Sequence, residues 1–277
     1  MKEKKNVPEL RFPEFKEPWK KCKLGEIVNI IDPHPSHRAP MAIQKGIPFI
    51  GIGDVNELGE INYSSSRIVS EHIYEEHHNR YDLAIPSLGI GRVASLGKVI
   101  RLRNDIGKYA VSPTISILQT LPNMDINYLY ACMNSPIFQR QFVAQSNGST
   151  RQSVGIQDLR NLVVSIPVFE KEQYRLGQFF SNVDKIIVFH QHKENLLKAL
   201  KKGMLQKIFS QELRFKDDNG QDFPDWEENK LGDICDSFYA GQTPTSNKAE
   251  YYDGDIPWVA SGDLNRGIII KTAVYSF

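Results

Sequence analysis

Two periodicities divide the chain. Over residues 24–166, short apolar runs are broken every few residues by turn formers, whereas over 170–210 apolar residues recur at spacings of three and four. The second pattern predicts one long amphipathic helix with Leu176, Phe179, Val183, Ile186, Leu197, Leu200 and Met204 on a single stripe. At 1.5 Å per residue, some forty residues reach roughly 60 Å. That is more than one small domain can cover, so part of the stripe is expected to pair with a second helix. His190 and Lys193 lie on the same stripe and make the middle of the seam polar.

The first pattern predicts strands over 27–31, 47–52, 61–63, 83–85, 98–102 and 114–118. The breaks between them include Gly51 to Asp54, Gly89-Ile90-Gly91 and Ser146 to Ser149. Short helices are expected over 70–80, 126–134 and 136–143, the last with Ser135 as cap and Pro136 in its first turn. Strands do not alternate regularly with long helices, so a doubly wound parallel sheet is not indicated. The class expected is α+β: a mixed domain over 24–166 after an extended arm (1–23), then a long helix over 167–211.

A repeat follows the helix. Trp19, Leu24, Gly25 and Ile27 return as Trp226, Leu231, Gly232 and Ile234, and Ile47, Pro48, Gly53 and Asp54 return as Ile256, Pro257, Gly262 and Asp263. Phe12-Pro13-Glu14-Phe15 has a looser echo in Phe223-Pro224-Asp225-Trp226. One domain plus helix is therefore followed by an acidic linker (212–230) and the start of a second domain (231–277). The second copy stops near the counterpart of Ile68, so a truncated product or a fragment is expected.

With 40% hydrophobic and 24% charged residues the chain has the composition of a globular protein. No apolar run approaches the ~18 residues of a membrane span, and the charged N-terminus lacks the apolar core of a signal peptide. Cys22, Cys132 and Cys235 form no close pair. These features point to the cytoplasm. The net charge of +1 is unevenly spread, because residues 212–236 carry −6 and the rest +7.

Several stretches tempt an enzymatic reading. Between Gly91 and Lys98 the spacing is one residue too long for a phosphate-binding loop, and Val99 stands where a hydroxyl is needed. His34 and His37, or His72, His77 and His78, form no closed metal-ligand set of known spacing. No nucleophile elbow or Cys–His arrangement is present. Binding chemistry is better represented. Arg92, Lys98, Arg101 and Arg103 fall on a predicted hairpin suited to phosphates, and the loop Asn147, Ser149, Thr150, Arg151, Gln152, Ser153 carries side chains able to bond bases.

The run from Gly148 to Ser153, then Asp158-Leu159, Ile166-Pro167, Gly177-Gln178-Phe179-Phe180, Lys201 to Phe209, Glu212 to Phe215 and Phe223-Pro224 resembles the specificity (S) subunit of type I restriction–modification systems. The resemblance implies a target-recognition domain followed by a spacer helix of antiparallel coiled-coil type. It implies sequence-specific recognition of double-stranded DNA without catalysis. It also implies partnership with modification subunits that use S-adenosylmethionine and with an ATP- and Mg2+-dependent restriction subunit. With only one complete recognition domain, a half-subunit paired as a homodimer through its helix is expected. The alternative is a DNA-incompetent scaffold that only dimerises or binds modification subunits.

Overall fold

The ends of the first domain are tied to each other. Lys20–Lys23 (β1) pairs antiparallel with Val163–Ile166 (β9), so the chain leaves the domain where it entered. The computed structural model describes residues 6–34, 36, 39–93, 95–146, 152–241, 251, 256–259 and 274–276. They fall into two units, Met1–Lys207 and Ile208–Phe277.

The first unit is built on a four-stranded antiparallel sheet in the order β2-β8-β5-β6, formed by Val28–Ile31 (β2), Ser87–Gly91 (β5), Val99–Leu102 (β6) and Ile115–Thr120 (β8). Alternate residues face opposite sides of a strand, and both sides here are covered. Leu88, Ile90, Val99 and Leu118 join Leu129 and Met133 of Ile126–Met133 (α2) and Phe138 and Phe142 of Pro136–Ala144 (α3). Ile100, Leu102, Ile115 and Ile117 face the other way and pack with Ile50, Tyr81, Tyr109 and Val111.

That second face is closed by a three-stranded sheet, Arg67–Val69 (β4), Ile47–Ile50 (β3) and Ala110–Val111 (β7), with β3 and β7 parallel. The helix Glu71–His78 (α1) carries buried His77 beside it. A short helix, Ile156–Asn161 (α4), precedes β9.

The predicted helices 70–80, 126–134 and 136–143 appear as α1, α2 and α3. Ser135 accepts a bond from Phe138 N at 3.3 Å, and Asp125 caps α2 through Tyr128 N at 2.8 Å. Two strand assignments are corrected. Residues 83–85 form a turn and 61–63 only an isolated bridge, whereas the expected break at Gly89-Ile90-Gly91 lies in the fully buried strand β5. Gly89 is there for packing: a Cβ would lie 2.8 Å from Ile115 Cγ2 and 2.9 Å from Ile100 Cγ1.

The helix Glu170–Phe209 (α5) has the predicted span. Its first turns are inserted against the domain. Glu172 and Gln173 are buried, and Gln173 bridges Asp125 N and the Pro167 carbonyl. At Gly177 the helix runs so close to α2 that a Cβ would stand 2.7 Å from Tyr128 N and nearer still to Asp125 Oδ1.

The repeat is structural as well. A single helical turn occurs at Leu24–Glu26 and again at Leu231–Ile234 (α6). Ile256–Trp258 (β10) corresponds to β3, and it pairs antiparallel with Val274–Ser276 (β11) as β3 pairs with β4. Within the second unit, Phe209 meets Trp226 edge to face at 5.9 Å and Asp217 caps a tight turn by accepting from Asn219 N and Gln221 N.

The two helical glycines should respond oppositely to alanine. Gly203 has open space around it, so Gly203→Ala gains helix propensity, up to about 1 kcal/mol. Gly177→Ala gains the same propensity but drives a methyl into backbone, a net loss of about 1–3 kcal/mol. Thermal unfolding of the two variants checks the contrast.

Candidate nucleic-acid interface

The predicted cations do not form one row. The register of the β5–β6 hairpin sets Ile90 opposite Val99 and Leu88 opposite Arg101, so Arg92 and Lys98 sit at its turn and Arg101 and Arg103 at its other end. Lys98 is exposed. Arg92 is largely covered and donates from Nη2 to Asp32 Oδ2 at 2.8 Å, while its Nε is buried without a partner among the described residues. It lines a recess of about 430 Å³ with Ala39, Val93, Ser112, Pro113, Thr114 and Ser153.

The polar loop is anchored at this recess. Ser153 bridges Val93, and Val154 N donates to the Arg92 carbonyl at 3.0 Å. Gln152 is exposed beside it. Asn147, Ser149, Thr150 and Arg151 lie outside the described residues, as does His37. The structure thus brings Arg92, Lys98 and the Gln152–Ser153 end of the loop to one end of the sheet.

Arg101 and Arg103 are turned to intramolecular work. Arg103 forms a two-bond pair with Asp105, at 2.8 and 2.6 Å, and that hydrogen bonding raises the Arg103 pKa further. Arg101 bonds Asn127 Oδ1 at 2.7 Å and Asp184 Oδ2 at 3.2 Å, and its Cζ lies 3.8 Å over the Tyr130 ring. A phosphate-tracking row of four therefore loses three members, because Arg92, Arg101 and Arg103 each already face a carboxylate.

The glycine-bearing turn is also occupied by its own bonds. Gly91 N donates to the Lys98 carbonyl, Gly97 N to the Gly91 carbonyl and Lys98 N to the Ser95 carbonyl. Those amides are not free to cradle a phosphate. Two of the histidines pack together: His34 stacks on His77 at 4.6 Å and pairs with Glu76 at 2.8 Å, and His77 Nδ1 lies 3.1 Å from the Val111 carbonyl. Burial pushes the Cys132 thiol up to about 11 and raises that of Cys22, which disfavours their thiolates.

On the predicted seam, Leu176 turns inward to a recess shared with Trp19, Tyr128, Phe138 and Phe180. Phe179, Val183, Ile186, Leu197 and Leu200 are exposed, and Met204 is half-buried. Ile187, Phe189, Leu196 and Leu205 add to the uncovered apolar surface.

Sequence reasoning missed the residues that seat this helix. Arg11 holds Glu172 through Nε and Nη2, both at 2.7 Å, and Trp19 Nε1 donates to the same carboxylate at 3.1 Å. The available signal was a second copy of Leu10-Arg11-Phe12 at Leu213-Arg214-Phe215.

A sequence model described as "Type I restriction modification DNA specificity domain" matches residues 16–199, covering the domain and most of α5. The chain belongs to this family. As a member of the specificity-domain family it is 24% identical over 207 residues to the type I restriction enzyme EcoBI specificity subunit of Escherichia coli, a match covering 71% of the chain and 42% of that protein. The chain thus spans less than half the length of this curated relative. Its fold is similar to that of the type I restriction–modification S subunit from M. genitalium, with a TM-score of 0.50 at 15% identity over 99% of the chain and 64% of that structure. The HsdS subunit from Thermoanaerobacter tengcongensis is more distant in shape, with a TM-score of 0.43 at 19% identity over 75% of the chain and 48% of that structure. Among the described residues of this specificity-domain protein, no helix is long and apolar enough to cross a membrane.

Burial lowers the pKa of His77, with the neighbouring His34 adding to the effect, and burial likewise lowers that of His78. A histidine whose folded pKa is depressed contributes stability above its unfolded value, about 6.5, and loses it as the pH falls further. The melting temperature should therefore drop between about pH 7 and 5. His77→Asn, whose amide can replace Nδ1 toward Val111, should flatten that slope in a thermal titration.

Proposed function

We propose that the chain is the DNA sequence-recognition subunit of a type I restriction–modification complex and performs no chemistry itself. The observation carrying this reading is the family match across 16–199, which joins the domain to a helix whose apolar stripe is still uncovered. The recess at Arg92, Thr114 and Ser153 is the base-reading end. Exposed Lys98 contacts phosphate there, and the 147–153 loop extends the reading surface. Arginine with a carboxylate at its back presents its remaining donors in a fixed plane, the geometry suited to a guanine edge.

The stripe from Phe179 to Met204 seats a second helix, supplied by another copy of the chain, so that a homodimer presents two recognition domains. Double-stranded DNA lies against both. Modification subunits bind the assembly and methylate with S-adenosylmethionine, and a restriction subunit using ATP and Mg2+ completes it.

The test is the solution mass of the chain with its modification subunit, followed by methylation of a DNA library. Two copies per complex and a symmetric, interrupted methylated sequence are expected. A complex that assembles but modifies nothing would reduce the chain to a scaffold. Within an active complex, Lys98→Ala should lower the slope of log K against log salt by about one at unchanged base preference. Arg92→Ala should cost about 1–3 kcal/mol and relax preference at one position.

A further inference from the structure

The start of α5 is held at three levels along its length. Glu172, fully covered, takes three hydrogen bonds from Arg11 and Trp19. Gly177 lets the helix press on the capped end of α2. Asp184 is bound by Arg101, whose side chain is only 13% exposed and reaches three elements at once. Its Nε donates to the Glu57 carbonyl at 3.3 Å, its Nη1 to Asn127 of α2 and its Nη2 to Asp184 of α5, and Tyr130 covers its face. Gly59, at φ +80°, lays the 56–60 loop onto Arg101, leaving 2.9 Å between a hypothetical Cβ and the Arg101 carbonyl. From 185 to 207 only Val188 and Met204 are half-buried, and all other positions are exposed.

Two charged clamps twelve residues apart, about 18 Å along the axis, fix a direction more tightly than Glu172 and Gly177 alone, which lie only about 8 Å apart. We infer that Arg101 and Asp184 are positioning residues: their pair sets the angle at which the helix leaves the domain, and so the base-pair separation between the two half-sites the complex reads. This rests on the recognition-subunit reading above. The lever is long enough to matter. From Asp184 to Phe209 the helix runs about 38 Å, so a tilt of about 5° displaces its far end by about 3 Å. One base-pair step rises 3.4 Å along each strand. A loosened clamp therefore blurs the separation by a whole step while leaving the reading surface at Arg92, on the other end of the hairpin, in place.

The experiment uses the complex of the chain with its modification subunits and Asp184→Ala, with Lys185→Ala on the same helix as control. Methylation is measured on DNAs carrying the two half-sites at successive separations. Labels at positions 64 and 201 report the distribution of domain-to-helix distances without DNA. The wild type and Lys185→Ala should favour one separation over its neighbours by about tenfold or more, as misplacement near 1 Å already costs reaction rates heavily. Asp184→Ala should widen the distance distribution and bring the neighbouring separations to within about threefold of the optimum, with base preferences within each half-site unchanged. A widened distribution with the same sharp optimum would overturn the inference, as would a distribution that does not widen. A wild-type complex indifferent to separation would instead bring down the two-half-site reading beneath it, whatever the label distances show.

Discussion

A carboxylate with no solvent exposure in the first turn of a forty-residue helix is the constraint around which the first unit is arranged. Buried ionised groups are tolerated only when paired and hydrogen-bonded, and Glu172 has both Arg11 and Trp19. The helix N-terminus itself favours a negative charge. Supplying Arg11 requires the N-terminal arm to fold back along the domain, where Asn6 and Trp19 exchange bonds and Phe12 lies under Arg175. Trp19 in turn leads into β1, which closes on β9, and β9 delivers the chain to α5. Arm, closing strands and helix start are thus one structural unit, and a helix with little cover elsewhere acquires a fixed root.

Beyond that root the helix has little cover of its own. Phe179, Val183, Ile186, Leu197 and Leu200 are all exposed along one stripe, and exposed apolar surface of this kind is characteristic of interaction sites. Its middle, at His190 and Lys193, is polar, which is how paired helices limit register and partner choice. The exposed end and the seated start follow the same division: fixed polar groups where the helix meets its own domain, and uncovered apolar groups beyond it.

What was legible in the sequence was what repeats locally. The three-four spacing announced α5, Ser135 before Pro136 announced α3, and the return of Leu24-Gly25 at Leu231-Gly232 announced a repeat, at both copies of which the structure places a helical turn. Pairings between distant residues were not legible. Arg101 and Asp184 stand 83 residues apart, Arg11 and Glu172 161 apart, and nothing in either neighbourhood marks the partner. Charge alone made Arg101 look like a surface cation. Gly89 misled for a related reason: a glycine demanded by neighbouring side chains is locally indistinguishable from one demanded by a turn. The candidate base-reading loop was legible only as composition, and four of its six residues, Asn147, Ser149, Thr150 and Arg151, lie outside the described structure.

The ion pairs also bear on how such a chain engages DNA. Arg11, Arg92, Arg101 and Arg103 each face a carboxylate within the domain, and net charge over the chain is only +1. Phosphate affinity scales with the number of cations that displace counterions, so these four paired arginines contribute little of it. In the proposed complex, that general affinity falls to the partner subunits. The recognition domain is left to discriminate through a small recess where Arg92 is already oriented by Asp32. In that complex discrimination would depend on geometry more than on charge, and the rooted helix would carry that geometry from one half-site to the other.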